Sequence, residues 1–280
     1  MPQYALFSGA SSGIGKAAAE ALAKKGVTVF AGALNEAEAE AMRAAGTPGI
    51  VPVVLDVTRA ESIEAAIRKV RETIGPDGHL SGLVNCAGVD VNAPLQYLET
   101  HEIMQMINVN YVGGIMLTRA ALPLLQHGTS RLVFVSSAMA VMSTPTISIY
   151  CSTKSGVSGF ADALRVELIP VGIKVSVLEP GVIRTPLVQS APKVLEKMLP
   201  RMTDADRQRY EPMMRKIAKM SSDPNAGSTT DATSAAICHA LTAANPKIRY
   251  RVGADSKAAA IISKLPYGVK DWIQRRIYGI

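Results

Sequence analysis

Short apolar runs alternate with helix-length segments along most of the chain, and this alternation limits the fold more than any other feature. The apolar runs are typical of buried strands, and the segments between them carry apolar residues at helical spacing, as at Ile63, Ile67 and Val70. Strands separated by helices of this length favour a parallel sheet with right-handed crossovers. We therefore predict an α/β fold, a doubly wound parallel sheet in a single domain over residues 1–280. The predicted strands are 4–7, 27–33, 50–56, 82–88, 131–137, 173–181 and 248–252. The first predicted helix follows the first strand and ends at 25. The other predicted helices are 36–45, 60–74, 100–126 and 148–169, and a last one begins at 231.

A glycine-rich turn, SGASSGIG, joins the first predicted strand to the first predicted helix. Gly9 permits a tight turn, and Gly13 and Gly15 leave room for a phosphate-bearing ligand to approach the backbone. The helix that follows would offer its unpaired N-terminal amides to the negative charge. The spacing is GxxxGxG, not the GxGxxG of the common dinucleotide fingerprint. Taken alone, this turn fits a nucleotide site and also a simple tight connection.

The stretch from Ser136 to Lys154 contains a tyrosine and a lysine four residues apart, downstream of a serine. On a helix, Tyr150 and Lys154 share one face, and the ammonium would stabilise the phenolate and lower the tyrosine pKa. The phenol then becomes a usable general acid or base. Ser137 ends a predicted strand, at the edge where open α/β sheets bind ligands. The alternative for the motif alone is a chance pair on a solvated helix.

Two further segments carry polar or helix-weakening residues. Asp56 ends the third predicted strand, where its carboxylate could accept from an adenine amino group or cap the next helix. The predicted helix that contains Asn110 also contains Gly113 and Gly114, which lower helix stability at its centre. A loosened turn whose carbonyl binds a water would explain the glycines, and so would close packing of a neighbouring backbone.

Cysteine content and hydropathy predict a soluble protein of a reducing compartment. The three cysteines, Cys86, Cys151 and Cys238, are odd in number and widely separated, so neither a disulfide framework nor a metal site is expected. A strand begins by Tyr4 with no leader before it, and no apolar run approaches the roughly 18 residues that span a bilayer. We expect a cytoplasmic protein, with peripheral contact to a membrane surface left open.

The net charge of +7 is concentrated in the last third of the chain. Residues 1–180 hold 13 Lys and Arg against 15 Asp and Glu, whereas residues 181–280 hold 17 against 8. Such a field could attract nucleic acid, anionic lipid or an acidic substrate. No nucleic-acid motif accompanies the basic region and aromatic residues make up only 5% of the chain, so we expect a solvated surface and no nucleic-acid partner.

In combination, these segments resemble the short-chain dehydrogenase/reductase family, strongly over about residues 4–185 and weakly beyond. SGASSGIG is similar to the family's TGxxxGxG with Ser8 in place of threonine, and LDVT, NCAG, NVNYVG, VFVSS, YCSTK and EPGVIRT follow in the family's order. The resemblance implies a Rossmann-type sheet and hydride transfer between a nicotinamide and an alcohol or carbonyl. VTVFAGAL, RYRVGADSK and LPYGVKDWIQRRIYG also resemble the retinol and hydroxysteroid dehydrogenase branch.

The resemblance assigns catalytic roles to Asn110, Ser137, Tyr150 and Lys154. Tyr150 would take the hydroxyl proton as hydride leaves, and Ser137 would hydrogen-bond the substrate oxygen. Lys154 would lower the tyrosine pKa and hold the nicotinamide ribose, while Asn110 would position a water between the lysine and solvent. The 27 residues from Asn110 to Ser137, and the 13 from there to Tyr150, agree with the family's spacing.

The cofactor site implied by the family is spread over the ends of several predicted strands. Ile183 and Thr185 match positions that hold the nicotinamide carboxamide. Cys86 departs from the family, which usually has an asparagine there, and Cys151 is interpreted as a small packing residue. The predicted cofactor-binding residues are Ser8, Gly9, Ser11, Ser12, Gly13, Ile14, Gly15, Asp56, Val57, Asn85, Ala87, Gly88, Tyr150, Lys154, Pro180, Gly181, Ile183 and Thr185.

The choice between NAD and NADP depends on the residues after the second predicted strand. Ala33 and Leu34 occupy this place, and neither can bind a ribose hydroxyl or a phosphate. An acidic residue would have marked NAD and an arginine NADP. Ser11 and Ser12 supply no cation for a 2′-phosphate, so we expect NAD, with NADP as the alternative.

The residues after Thr185 are expected to choose the substrate. We interpret segment 186–226 as loop-rich and as a substrate lid. Its thioethers and aliphatic side chains suit an adaptable apolar lid, although a helical pair packed on the domain fits them equally well. The methionines concerned are Met198, Met202, Met213, Met214 and Met220.

The tail, residues 257–280, is basic and amphipathic. One face could rest among acyl chains while cations meet anionic headgroups. The competing interpretation is that the same face packs against the domain or a partner subunit. The residues concerned are Trp272, Ile273, Ile277 and Tyr278, which alternate with Lys270, Arg275 and Arg276.

We therefore predict an NAD(P)-dependent oxidoreductase of CH–OH groups that acts on a lipophilic alcohol or ketone, with a hydroxysteroid or retinol-like compound favoured. The first alternative is a 3-oxoacyl-thioester reductase that docks an acidic acyl carrier on the basic final third. The second is a nucleotide-binding scaffold without turnover. The main partner would be the small-molecule substrate, and we expect a homodimer or homotetramer.

Overall fold

Seven strands form one parallel sheet in the part of the chain that the computed structural model describes, residues 3–126, 128–223 and 227–280. The strands are β1 Tyr4–Phe7, β2 Thr28–Ala33, β3 Ile50–Val54, β4 Leu80–Asn85, β5 Arg131–Val135, β6 Lys174–Pro180 and β7 Arg249–Val252. Their order is β3-β2-β1-β4-β5-β6-β7, so the direction of winding reverses between β1 and β4. The predicted doubly wound parallel sheet is confirmed, and the reversal marks the edge at which such sheets bind ligands.

Helices cover both faces of this sheet. They are α1 Gly13–Ala23, α2 Glu36–Ala45, α3 Ala60–Ile74, α4 Thr100–Ile107, α5 Gly113–Ala121, α6 Ser148–Glu167, α7 Pro186–Gln189, α8 Ala191–Met198, α9 Asp204–Ser222, α10 Thr230–Thr242, α11 Ala254–Ile262 and α12 Tyr267–Tyr278. Short 3-10 turns lie at Leu95–Tyr97, Leu122–Leu124, Ala138–Ala140, Ile169–Val171 and Leu199–Arg201. The bounds of α2 and α3 are those predicted.

Side-chain alternation along β1 feeds two separate cores. Ala5 and Phe7 pack in the core that contains Leu22 of α1, whereas Leu6 packs in the core that contains Val70 of α3. Because helices cover both faces, the central strands are mostly apolar on both sides and show no regular alternation with polar residues. This is why continuous apolar runs identified the strands in the sequence.

The predicted helix 100–126 is interrupted at its centre. A π-helical turn, Asn108–Val112, separates α4 from α5 and contains the buried Asn110. A Cβ on Gly113, the first residue of α5, would lie 2.7 Å from the side chain of Val57, so no larger residue fits there. The loosened turn is therefore present, and Gly113 also packs closely, because its Cβ position lies 2.7 Å from the Val57 side chain and 2.9 Å from the Asn108 carbonyl oxygen.

Segment 186–226 is helical where the structure describes it, so the loop-rich prediction was wrong. It forms α7, α8 and α9, and residues 224–226 of the predicted loop lie outside the described residues. Its prolines are compatible with helices, because Pro186 and Pro192 stand in the first turns of α7 and α8, where a missing N–H costs nothing. Pro212 lies inside α9.

The tail forms α11 and α12, and α12 lies against the lid helix α9. Ile273, Ile277 and Tyr278 are half-buried, while Trp272 is 60% exposed. The predicted apolar face is therefore divided, since three of its members turn toward the protein. No helix among the described residues is long and apolar enough to cross a bilayer.

Close backbone contacts explain why two of the three glycines in the glycine turn cannot be replaced. Gly9 has φ +62°, and a Cβ there would lie 2.7 Å from Ala87 Cα. A Cβ on Gly15 would lie 2.1 Å from the Gly9 carbonyl oxygen. A Cβ on Gly13 would meet only the Thr185 side chain, at 3.4 Å. Gly15 is thus required for packing inside the turn, and Gly13 leaves open space.

We expect Gly15→Ala to lower the free energy of unfolding by about 1–3 kcal/mol or more, because the new methyl overlaps the Gly9 carbonyl and forces the turn apart. Gly268→Ala is the control, since no atom lies within 4 Å of its Cβ position in α12. That variant should keep or raise stability by up to about 1 kcal/mol. Denaturant unfolding followed by circular dichroism measures both, and equal stabilities of Gly15→Ala and wild type would contradict the close approach.

Candidate active site

Two cavities open at the carboxyl ends of the strands. The first, which we call the glycine-turn cleft, has a volume of about 680 Å³ and lies between the glycine turn and the loops that follow β3, β4 and β6. The second, the lid cavity, has a volume of about 530 Å³ and lies between the β5–α6 connection and the helices α7 to α9. Ser137, Tyr150 and Gly181 line both cavities, so these residues stand where the two meet.

Nearly all predicted cofactor residues line the glycine-turn cleft. The two exceptions, Ser8 and Asn85, lie behind it. The amides of Cys86 and Ala87 donate to Ser8 Oγ at 3.0 and 3.2 Å, and Asn85 Nδ2 donates to Thr118 Oγ1 at 2.9 Å. Both side chains therefore hold the ends of the strands in place. The predicted residues that line the cleft are Gly9, Ser11, Ser12, Gly13, Ile14, Gly15, Asp56, Val57, Ala87, Gly88, Tyr150, Lys154, Pro180, Gly181, Ile183 and Thr185.

Asp56 does not cap the next helix, so that alternative was wrong. Arg59 is the N-cap of α3. Asp56 Oδ1 instead accepts from the backbone amide and the hydroxyl of Thr58, at 2.9 and 2.7 Å. The carboxylate is held in this small turn at the wall of the cleft, and its contact with adenine stays a prediction.

Two charged residues that line the cleft were missed by the sequence. Glu38 lies in the first turn of α2, after β2, and Arg59 is the N-cap of α3, after β3. Glu38 Oε2 accepts from the Leu34 amide at 3.0 Å, while the Glu38 amide donates to Asn35 Oδ1 at 3.0 Å. This reciprocal pairing at the start of α2 fixes the carboxylate. Glu38 was missed because the acidic residue was sought at the strand end, whereas it stands in the first turn of the helix.

Tyr150 and Lys154 share one face of α6, as predicted. Lys154 Nζ lies 5.5 Å from the centre of the Tyr150 ring and donates to the Val135 carbonyl at 2.9 Å. Burial lowers the pKa of Lys154 to about 8, although the neighbouring Cys86 and Asp90 act in the opposite direction. The ammonium is thus fixed between α6 and the end of β5.

The pKa of Tyr150 is raised, mainly by burial and further by the charge of Asp90. A hydrogen bond with Ser137 lowers this pKa in part. Burial and Asp90 set the direction of this shift, and the lowering of the tyrosine pKa by Lys154 stays a prediction. At neutral pH the phenol is protonated, as a proton donor to a carbonyl substrate requires.

Ser137 stands at the end of β5, as predicted. Its hydroxyl accepts from the Met139 amide at 3.1 Å and pairs with Tyr150. The adjacent Ser136 Oγ donates to the Lys154 carbonyl at 2.9 Å and so joins β5 to α6. The two hydroxyls of Ser137 and Tyr150 are therefore held side by side, in an arrangement that can bind one substrate oxygen.

The Asn110 side chain clamps the loop that follows β4. Its Oδ1 accepts from the Val89 amide and its Nδ2 donates to the Val89 carbonyl, both at 2.8 Å. Nδ2 also lies 3.3 Å from Thr153 Oγ1 in α6. Since the side chain is occupied in this way, it positions the loop, and any bound water would have to be held by the backbone of the π-helical turn.

Burial keeps the cysteines of the site protonated at neutral pH. The pKa of Cys86 is raised to about 11 and that of Cys151 is also raised, in both cases mainly by burial. Cys151 is buried, in agreement with its interpretation as a packing residue. Within residues 3–126, 128–223 and 227–280, no group of three or more His, Cys, Asp or Glu is placed to hold a metal ion.

Segment 186–226 both packs on itself and lines the lid cavity, and its action as a substrate lid stays a prediction. Met198, Met202 and Met214 pack between α8 and α9 in a core of their own. Met220, at 46% exposure, is the one of the five methionines that lines the lid cavity. The apolar wall there comes mainly from aliphatic side chains, which are Ile147, Val182, Leu187, Val188, Val194 and Ile217. Tyr278 of α12 also lines this cavity, and its hydroxyl lies 3.2 Å from Thr144 Oγ1.

Comparisons with known proteins identify the family to which this chain is similar. A family model described as short chain dehydrogenase matches residues 3–195. The chain is 35% identical to the 17-beta-hydroxysteroid dehydrogenase type 6 of Homo sapiens, over 98% of this chain and 88% of that protein. It is 35% identical to the mitochondrial D-beta-hydroxybutyrate dehydrogenase of Rattus norvegicus, over 88% of this chain and 75% of that protein.

Comparison with solved structures indicates the same family. A solved short-chain dehydrogenase from Streptomyces avermitilis is similar with a TM-score of 0.76 and 25% identity, covering 99% of this chain and 95% of that one. The predicted family, its hydroxysteroid-like branch and the expected enzyme class are thereby confirmed. The chain belongs to the short-chain dehydrogenase/reductase family, the nicotinamide-dependent oxidoreductases of CH–OH groups.

Proposed function

We propose that this protein interconverts a bulky lipophilic alcohol and its carbonyl compound with NAD(H), and that a hydroxysteroid or a retinol-like alcohol is the favoured substrate. One observation carries the proposal. The paired hydroxyls of Ser137 and Tyr150 stand at the junction of a cleft built around a glycine turn and a cavity with a largely aliphatic wall. The human relative named for hydroxysteroids supports the substrate class.

Four residues would carry the reaction. A nicotinamide bound in the glycine-turn cleft would supply or accept the hydride. Ser137 and Tyr150 would hold the substrate oxygen, and Tyr150 would give up or receive the proton at its phenolic oxygen. Lys154 would hold the ribose and offer its charge to a phenolate as it forms. Asn110 would keep the Val89 loop in position.

The preference for NAD rests on Glu38. Its carboxylate is fixed by the Leu34 amide at the edge of the glycine-turn cleft, and one oxygen is left to accept from a ribose hydroxyl. A 2′-phosphate at that place would meet a negative charge. Arg59 also lines the cleft and would favour a phosphate, but it is exposed. We therefore favour Glu38 as the determinant.

The test of the function is oxidation of secondary alcohols of increasing size, from 2-butanol through cyclohexanol to a steroid 3-alcohol, followed by NADH absorbance. We expect kcat/KM to rise with apolar bulk, because a larger alcohol buries more surface in a lid cavity of about 530 Å³. Tyr150→Phe should lose about 10²–10⁴-fold in turnover and keep its affinity for NAD, since only the phenolic hydroxyl is removed.

Lys154→Met is the companion variant and should lose both turnover and NAD affinity. Two results would count against the proposal. One is a kcat/KM that stays flat across the series, and the other is more than about a hundredth of wild-type turnover in Tyr150→Phe.

For the cofactor, we expect Glu38→Arg to raise the ratio of kcat/KM for NADP over NAD by about tenfold or more. The repulsion between the Glu38 carboxylate and the 2′-phosphate is replaced by attraction between a guanidinium and that phosphate, in a partly buried cleft. Glu38→Gln keeps an acceptor for the Leu34 amide and should give a smaller rise. Glu40→Arg is the matched control, because Glu40 is exposed on the same helix and pairs with Arg43 at 2.8 Å. Tighter binding of NADPH than NADH to the wild type, by calorimetry, would overturn the NAD preference.

The tail also supports a peripheral membrane contact. Exposed apolar side chains on α11 and α12 include Ile261 at 68%, Tyr267 at 79% and Trp272 at 60%. Cations accompany them, with Lys270 Nζ 3.7 Å from the Tyr267 ring centre and the Arg276 guanidinium 5.7 Å from that of Trp272. Aromatic rings with cations beside them are suited to the level of anionic headgroups.

We expect the protein to float with vesicles that contain phosphatidylserine at low salt and to be released at high salt. Trp272→Glu should abolish flotation, whereas Ile169→Glu should not, since Ile169 is equally exposed at the end of α6, outside the tail. Sedimentation equilibrium of the same variants tests the competing role. If Trp272→Glu dissociates an oligomer and wild type does not float, the face binds a second subunit and the membrane proposal is wrong.

A further inference from the structure

Two carboxyl groups line the lid cavity in the described part of the chain, and they differ in their partners. Asp255 is fully engaged, because its Oδ2 accepts from the Val182 amide at 2.6 Å and its Oδ1 from the Ser256 amide at 2.9 Å. It fastens the start of α11 to the loop after β6. Asp90 Oδ1, in contrast, is sealed from solvent and has no hydrogen-bond partner among the described residues.

The backbone around Asp90 is held firmly. Asn110 clamps the preceding Val89 through both its amide and its carbonyl. Three residues further on, the Ala93 amide donates to the Thr146 carbonyl at 2.8 Å. The backbone on both sides of Asp90 is therefore fixed, and the carboxyl group lines the wall that it shares with Ser137 and Tyr150.

This position is costly for a carboxylate. Burial raises the pKa of Asp90 to about 6, although an interaction with the Val91 amide and the charge of Lys154 lower it in part. A buried acceptor without a donor costs free energy in the folded protein. The contact with the Val91 amide would be made equally well by asparagine, which carries no charge. Packing of the loop therefore does not account for an acid at this position.

We propose that Asp90 determines substrate specificity: its carboxylate accepts a hydrogen bond from a second hydroxyl group on the substrate and repels substrates that carry a carboxylate. The proposal deepens the function proposed above and rests on it. A donor from the substrate would bind the part of the Asp90 carboxyl group that lines the cavity and would stabilise the charge that its sealed oxygen leaves unpaired. A hydroxy acid would instead place a second negative charge beside Asp90 in a poorly solvated space. The preferred substrates are then neutral diols or hydroxyketones with an apolar body.

Three matched compounds test this specificity. 3-Dodecanol, dodecane-1,3-diol and 3-hydroxydodecanoate share the reacting alcohol at C3 and the same alkyl chain. They differ only at C1, which is a methyl, a hydroxymethyl or a carboxylate group. For the wild type at pH 8 we expect kcat/KM to be highest for the diol and lowest for the acid, with each step about tenfold or more, as for a hydrogen bond to a charged group.

Variants at position 90 assign the preference to the side chain. Asp90→Leu should abolish the advantage of the diol over 3-dodecanol, and Asp90→Asn should reduce it while raising kcat/KM for the acid about tenfold or more. Ser221→Ala, which removes an uncharged polar group from the lid wall, should leave the ratios among the three compounds unchanged. Because the charge that burial disfavours is removed, Asp90→Asn should also melt about 2–4 °C higher than the wild type at pH 8.

The outcomes separate this inference from the function on which it rests. Should the wild type oxidise 3-dodecanol and the diol equally, with ratios that Asp90→Leu does not change, Asp90 has no role in selection and the oxidoreductase function stands. Should none of the compounds turn over, calorimetric affinities for the NAD-bound Tyr150→Phe protein decide the matter. The same order of affinities supports selection by Asp90, and equal affinities overturn it.

Discussion

The attachment of α6 to the end of β5 is the constraint on which the site depends. Lys154 Nζ donates to the Val135 carbonyl, and Ser136 Oγ donates to the carbonyl of Lys154 itself. These two bonds run in opposite directions between the same pair of elements, so they fix both the distance and the rotation of the helix. Tyr150, one turn earlier on α6, is thereby brought to Ser137. A shift of either bond would separate the hydroxyls without changing any residue that bears them.

Burial at this junction has opposite effects on its two titratable groups. It lowers the pKa of Lys154 and raises that of Tyr150, because a charge is costly in either case where water is excluded. The four-residue spacing suggested that the ammonium would control the phenol. In the folded protein the Lys154 ammonium donates to the Val135 carbonyl. Desolvation and the charge of Asp90 raise the pKa of Tyr150. Motif spacing reports which groups meet, whereas the dielectric surroundings depend on the whole fold.

The sequence predicted the sheet, the helices α2 and α3, and most of the cleft, because these depend on local periodicity and on a glycine turn of fixed geometry. It failed where a residue's role is set by a distant partner. Ser8 and Asn85 stand in family motifs yet bind backbone and α5 behind the cleft, and no local pattern distinguishes that use. Glu38 was overlooked because a helical turn carries its carboxylate back to the strand end. Segment 186–226 was misread as loop-rich, and its prolines could not correct this, because proline at a helix start and proline in a loop look alike in sequence.

The division of α12 between an inner and an outer face has a consequence for how substrate arrives. Tyr278 on the inner side touches Thr144 at the wall of the lid cavity, while Trp272 on the outer side faces away from the protein. The helix α12 is therefore the layer between the outside surface and this part of the cavity wall. If the proposed membrane contact forms, a poorly water-soluble compound at that surface would lie about one helix diameter, roughly 10 Å, from the cavity. The supply of such a compound would then follow its concentration in the adjoining apolar phase.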